Sequence, residues 1–262
     1  MKKQIHQTKP ILRSILRRIP LLSKVLSHWG IASSPLEVER YEYLFYLSYL
    51  KEGMICFDVG ANIGQVSLIF SRFVGEKGSV HAFEPTSSTF KQLSTNQIFN
   101  NRSNLVINNL AVTDKNGDVD FYVYDQQYHG WNTLRESPFE WYGIHVKPIK
   151  TEKVLSTTID AYCTENNINQ IDLLKIDIEG SEYQVLLGCH SMLKEKRIRC
   201  CIFEFGVTTI GMNNSPDVIE AYLKKLGYRL RNVVPHDCVF PGRGSFNSSK
   251  VAFSMMVATP LR

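Results

Sequence analysis

The chain has no apolar run near the roughly 20 residues that a membrane-spanning helix needs, so a membrane-embedded protein is not expected. Its N-terminal segment lacks the uninterrupted apolar stretch of a secretory signal, and none is expected there. No internal repeat and no low-complexity tract interrupts the chain. Its six cysteines (Cys56, Cys163, Cys189, Cys200, Cys201 and Cys238) form no C-x-x-C pair, and three of them sit inside apolar, strand-like runs. Cysteines so placed are usually buried reduced thiols, which makes a cytoplasmic location the expectation.

Acidic residues are missing from the first 36 positions, where Lys2, Lys3, Lys9, Arg13, Arg17, Arg18 and Lys24 stand alone. With those seven set aside, 23 basic residues face 25 acidic ones. The body is therefore nearly neutral and offers no surface for nucleic acid. Ile11, Leu12, Ile15, Leu16 and Ile19 recur at helical spacing between the arginines until Pro20. This short basic amphipathic helix either packs on the body or adheres at the periphery of an anionic membrane. The expected organisation is an extension over residues 1–35 and one domain over 36–262.

What is present alternates between strand and helix. An aromatic-rich helical stretch runs from Glu37 to Leu50. Strands are expected at 54–59, 79–83, 105–110, 155–159, 171–176, 198–205, 228–232 and 251–257. Helices are expected at 65–73, 87–99, 182–187 and 216–226, and an alternating run over 119–124 reads as an antiparallel addition. That order predicts an α/β fold whose parallel sheet is covered on both faces. The stretch from Asp125 to Lys147, crowded with aromatic and polar residues, is longer than a passive connection.

The strongest local signal is Asp58-Val-Gly60-Ala-Asn62-Ile-Gly64, leaving a strand and opening a helix. Gly60 is expected to let a ligand approach the backbone, and Gly64 to let helix and strand pack closely. Twenty residues past Gly64, Glu84 ends the next strand, where a carboxylate accepts ribose hydroxyls. Pyrophosphate is disfavoured, because Asn62 replaces the glycine of a dinucleotide loop and Asp58 repels an anion. S-adenosylmethionine (SAM) has no phosphate and carries two cationic groups, which an acidic rim suits.

With these motifs, Leu-Ala-Val at 110–112, Thr-Ile-Asp at 158–160 and Leu-Leu-Lys-Ile-Asp-Ile-Glu-Gly-Ser-Glu at 173–182, the chain resembles the FkbM family of methyltransferases. The resemblance implies a Rossmann-like class I methyltransferase sheet of seven strands, order 3-2-1-4-5-7-6 with strand 7 antiparallel. It also implies O-methylation of a glycan, sugar or small secondary metabolite. Carried across by position, the cofactor-binding set is Asp58, Gly60, Ala61, Asn62, Gly64, Glu84, Pro85 and Ala111.

Transfer of a methyl group to a hydroxyl needs alignment and a way to remove the proton. Asp177 and Glu179 follow a strand at its C-terminal end, where ligands of open α/β sheets bind, and are the expected catalytic pair, with Lys175 in support. His129, in the long loop, is a further candidate base; His81 lies within a strand and reads as structural. Glu204 could join Asp177 around a Mg²⁺ ion, but hard cations leave no diagnostic spacing here, so no metal ligand is assigned. Two other readings stay open: an NAD-dependent oxidoreductase, which shares Glu84 but conflicts with Asp58 and Asn62, and a non-catalytic membrane-associated protein of the same fold.

Overall fold

The computed structural model describes residues 35–125, 132–134, 147–206, 216–234 and 253–261. The basic extension and His129 lie outside the described residues. In chain order the elements are α1 (Pro35–Tyr49), β1 (Ile55–Val59), α2 (Gln65–Val74), β2 (Ser79–Phe83), α3 (Ser87–Phe99), β3 (Leu105–Asn108), β4 (Ala111–Val112), β5 (Gly117–Val123) and β6 (Lys150–Thr157). They continue with α4 (Ile159–Glu165), β7 (Leu173–Ile176), α5 (Glu182–Leu187), α6 (His190–Lys194), β8 (Cys201–Gly206), α7 (Pro216–Lys225), β9 (Tyr228–Asn232) and β10 (Phe253–Pro260).

Seven strands form one sheet in the order β3-β2-β1-β7-β8-β10-β9. Numbered within that sheet, this is 3-2-1-4-5-7-6, and its seventh strand, β10, runs antiparallel to both neighbours. The expected topology is met strand for strand. The break in strand order between β1 and β7 opens a crevice at the C-terminal ends, where such sheets bind ligands.

Period-two alternation sorts side chains onto two cores. Phe57, Val59, Leu174, Ile176 and Phe203 face α4, α5 and α7, while Cys56, Leu173, Ile202 and Val257 face α1 and α2. The helix α1 belongs to this second core: Val38 and Tyr46 are fully buried, and the Tyr46 ring meets Phe70 edge-on with centroids 4.8 Å apart.

A second sheet, β4-β6-β5, stands beside the first. The antiparallel addition expected at 119–124 is β5, paired with β6 along its length. Other expectations shift. The strand expected over 105–110 ends at Asn108, and Ala111–Val112 joins the second sheet. The strand expected at 155–159 starts earlier and stops at Thr157, because the Thr158 hydroxyl accepts from the Ala161 amide and caps α4.

Candidate active site

A cavity of about 470 Å³ opens at the C-terminal ends of β1, β2 and β7. Its lining includes Asp58, Gly60, Ala61, Asn62, Glu84, Pro85, Ala111, Lys175, Asp177 and Glu179. Of the expected site residues among those described, only Gly64 is absent from the wall. Gly64 instead adopts φ 87°, and a Cβ there would lie 2.4 Å from Leu93 Cδ1 on α3. Its packing partner is thus a helix rather than the expected strand.

Gly60, which lines the cavity, adopts φ 83°. A Cβ at this position would fall 1.9 Å from the Asp177 carbonyl oxygen. The glycine is therefore demanded by the neighbouring β7 turn, which presses the two loops together at the crevice. Asn62 sits at φ 52°, a left-handed conformation that asparagine tolerates better than most residues. Asn62 lines the cavity, and its side-chain Oδ1 is buried without a hydrogen-bond partner.

Glu84 is buried at the end of β2. Its Oε2 accepts from the Asn62 amide at 3.1 Å and its Oε1 from the Thr86 amide at 2.9 Å, so one carboxylate joins the loops after β1 and β2. Burial raises its pKa to about 7, against the opposing pull of those donors. Each oxygen keeps a second lone pair for an incoming hydroxyl.

Asp58 and Lys175 are register partners on adjacent strands, so their side chains leave the sheet on the same face, beneath α1 and α2. Asp58 is fully buried, accepts from Ser67 Oγ at 2.5 Å and lies 3.4 Å from Lys175 Nζ. The ammonium also reaches Asp177 Oδ2 at 3.1 Å. Asp58 thus lies at the cavity wall with its charge largely answered from within the protein. Glu42 of α1 accepts a hydrogen bond from the Tyr46 hydroxyl and acts on Lys175 electrostatically. Burial depresses the Lys175 pKa, but Asp177, Asp58 and Glu42 together carry it above its ordinary value, so the lysine is a fixed cation.

Asp177, Glu179 and Glu204 bring carboxylate oxygens within 4.8 Å of one another, and could hold one hard cation. Their protonation preferences diverge. Burial pushes Asp177 up, yet Lys175 brings it below the usual range. Glu179 is carried well above its ordinary value by burial and then by Asp177 and Glu182; Glu204 likewise by burial, Glu179 and Asp177. The arrangement separates a carboxylate held ionised from a more basic neighbour.

The turn carrying Glu179 is clamped. Glu179 has φ 57°, and the buried Glu182 carboxylate accepts from the Ile178 amide at 3.3 Å and the Gly180 amide at 3.0 Å. Glu182 belongs to the 173–182 motif but was not expected to have a role, since a cap inside a turn looks in sequence like any first-turn glutamate. His81, expected to be structural, contacts the Tyr162 hydroxyl at 2.9 Å, and burial lowers its pKa to about 4.

The family described as "Methyltransferase FkbM domain" matches residues 58–230, more than half of the chain and the part that builds this cavity. The chain is 26% identical over 157 residues to 2-O-methyltransferase NoeI of Sinorhizobium fredii, covering 56% of this chain and 62% of that protein. It is 28% identical over 166 residues to 31-O-demethyl-FK506 methyltransferase FkbM of Streptomyces tacrolimicus, covering 56% and 63%. Hexuronic acid methyltransferase AglP of Haloferax volcanii is 27% identical over 150 residues, covering 56% and 55%. The matches thus span less than two thirds of these relatives' lengths. Glycine loop, buried Glu84 carboxylate, strand order and family match coincide on one segment, and the chain belongs to the FkbM methyltransferase family.

Proposed function

We propose that the chain transfers the methyl group of SAM to a hydroxyl oxygen of a sugar, glycan or small hydroxylated metabolite. The observation that carries this reading is Glu84: a buried carboxylate, joined to both loops at the crevice, with lone pairs left for two hydroxyls. The names of the three relatives, each an O-methyltransferase or a methyltransferase of a sugar acid, support the acceptor class.

In this reading Glu84 takes the ribose hydroxyls, and Ala111 and Pro85 border the base. The unpartnered Asn62 Oδ1 accepts from the ammonium of the methionine portion. When bound, SAM supplies a methyl carbon already activated by its sulfonium. Glu179, the more basic carboxyl, receives the acceptor's hydroxyl proton as the oxygen attacks. Asp177, held ionised by Lys175, presents a fixed negative charge to the donor.

The two alternatives gain nothing from the comparisons. Among the described residues no helix is long and apolar enough to cross a membrane. Incubation with methyl-labelled SAM and a pool of lipid-linked glycans and metabolites, followed by identification of the labelled product, tests the proposal. Labelling of a hydroxyl oxygen supports it; label on nitrogen or carbon, or none with any acceptor, counts against it.

A further inference from the structure

Asn132, Thr133 and Leu134 run along the second sheet at the wall of the cavity. Thr133 is fully buried and pairs its backbone with Tyr122 through bonds of 2.8 and 3.2 Å. Asn132 Oδ1 accepts from the Tyr124 amide at 2.9 Å, which fixes the orientation of its amide group. The opposite end of that group, Nδ2, donates to Thr86 Oγ1 at 3.2 Å. The Thr86 amide in turn donates to Glu84 Oε1 at 2.9 Å. On the other side Thr133 Oγ1 donates to the Glu179 carbonyl at 3.2 Å. Asn132 and Leu134 themselves line the cavity.

We propose that residues 132–134 are a strap over the nucleoside site, in which Asn132 positions Glu84 through Thr86 and Thr133 positions the turn that carries Glu179. The inference rests on the reading of the cavity as a SAM site. Its physical basis is a relay through one residue: Asn132 Nδ2 holds the Thr86 side chain through Oγ1, and the Thr86 amide so held donates to Glu84 Oε1. The Asn62 amide also donates to Glu84, and Asp58 on β1 opposes its ionisation, so a displaced Thr86 donor tips a balanced group. Thr133 restrains the Glu179 peptide from the side opposite the Glu182 clamp.

The test is calorimetric titration of the full chain with S-adenosylhomocysteine, the demethylated product, across pH 5.5–8.5, alongside melting of the ligand-free protein. Wild type is expected to bind more tightly as Glu84 ionises. Asn132→Ala and Thr86→Val should each weaken binding about fivefold, the effect of one hydrogen bond, and move the midpoint of the pH dependence upward. Thr86→Ser, which keeps the hydroxyl, should behave as wild type. Unchanged affinity and midpoint in Asn132→Ala and Thr86→Val would overturn the strap, as would a lowered melting temperature with ligand affinity intact. A wild-type protein that ignores the ligand at every pH would overturn the SAM reading and the strap together.

Discussion

The ammonium of Lys175 stands 3.4 Å from the carboxylate of Asp58, and neither is appreciably exposed. Two strands in parallel register deliver both groups to the same face. Removing one partner of such a pair leaves an uncompensated charge in the interior. Lys175→Met is expected to destabilise the protein by about 3–5 kcal/mol, read as the shift in a urea unfolding midpoint. Combined with Asp58→Asn, the loss should be smaller than for Lys175→Met alone; an additive result would show the two groups to be uncoupled.

Glu84 makes ligand affinity depend on pH. Ribose hydroxyls donate to the ionised carboxylate, and burial has raised its pKa to about 7. Affinity for S-adenosylhomocysteine should therefore fall as pH drops below about 7, and that dependence should be absent in Glu84→Gln, with overall binding weakened at least tenfold at pH 8. Equal affinity in the variant would remove Glu84 from the site.

The same group tilts the stability of the ligand-free protein. With a folded pKa of about 7 against an ordinary value of 4.5, the folded state binds the proton more tightly. The stabilising contribution is complete below about 4.5 and is lost as pH rises through about 7. Between pH 5 and pH 8 the melting temperature of wild type should decline relative to that of Glu84→Gln.

Glu204 should respond in the same sense. Burial and its acidic neighbours raise its pKa well above the ordinary value, so ionisation at alkaline pH works against the fold. At pH 8 Glu204→Gln is expected to melt higher than wild type, with the gap closing toward pH 5. A lower melting temperature at both ends would mean that the carboxylate is stabilised there by a partner, a bound cation included.

Catalysis separates the two carboxyls after β7. Replacing a general base costs typically 100- to 10,000-fold in rate, so Glu179→Gln should lower kcat by about 100-fold or more with little change in cofactor affinity. Asp177→Asn removes one of the two carboxylate partners of Lys175 and should weaken binding of the cationic donor more than that of its neutral-sulfur product. If Asp177→Asn abolished turnover while Glu179→Gln stayed active, the roles assigned here would be reversed.

Much of this was legible in residue order. The strands at 79–83 and 228–232 and the helices at 87–99 and 182–187 have the expected bounds, because apolar periodicity and glycine punctuation mark them locally. The small helices at 159–165 and 190–194 were not expected, the first because it follows directly on a strand expected to run to 159. Glu42 gave no signal either: it lies in an aromatic-rich helix whose buried face is chosen by the sheet it covers.

The sequence alone determined which segments are strands, where the glycine loop turns and which carboxylates stand at strand ends, since these follow from short-range sterics and from spacing along one chain. Only the tertiary structure decided which charges meet. Lys175 answers Asp58, Asn132 reaches Thr86, and Asp177 presses its carbonyl toward Gly60, through contacts made between elements far apart in sequence. Strand register and loop placement set those distances, and a carboxyl's proton affinity depends on them far more than on its neighbours along the chain.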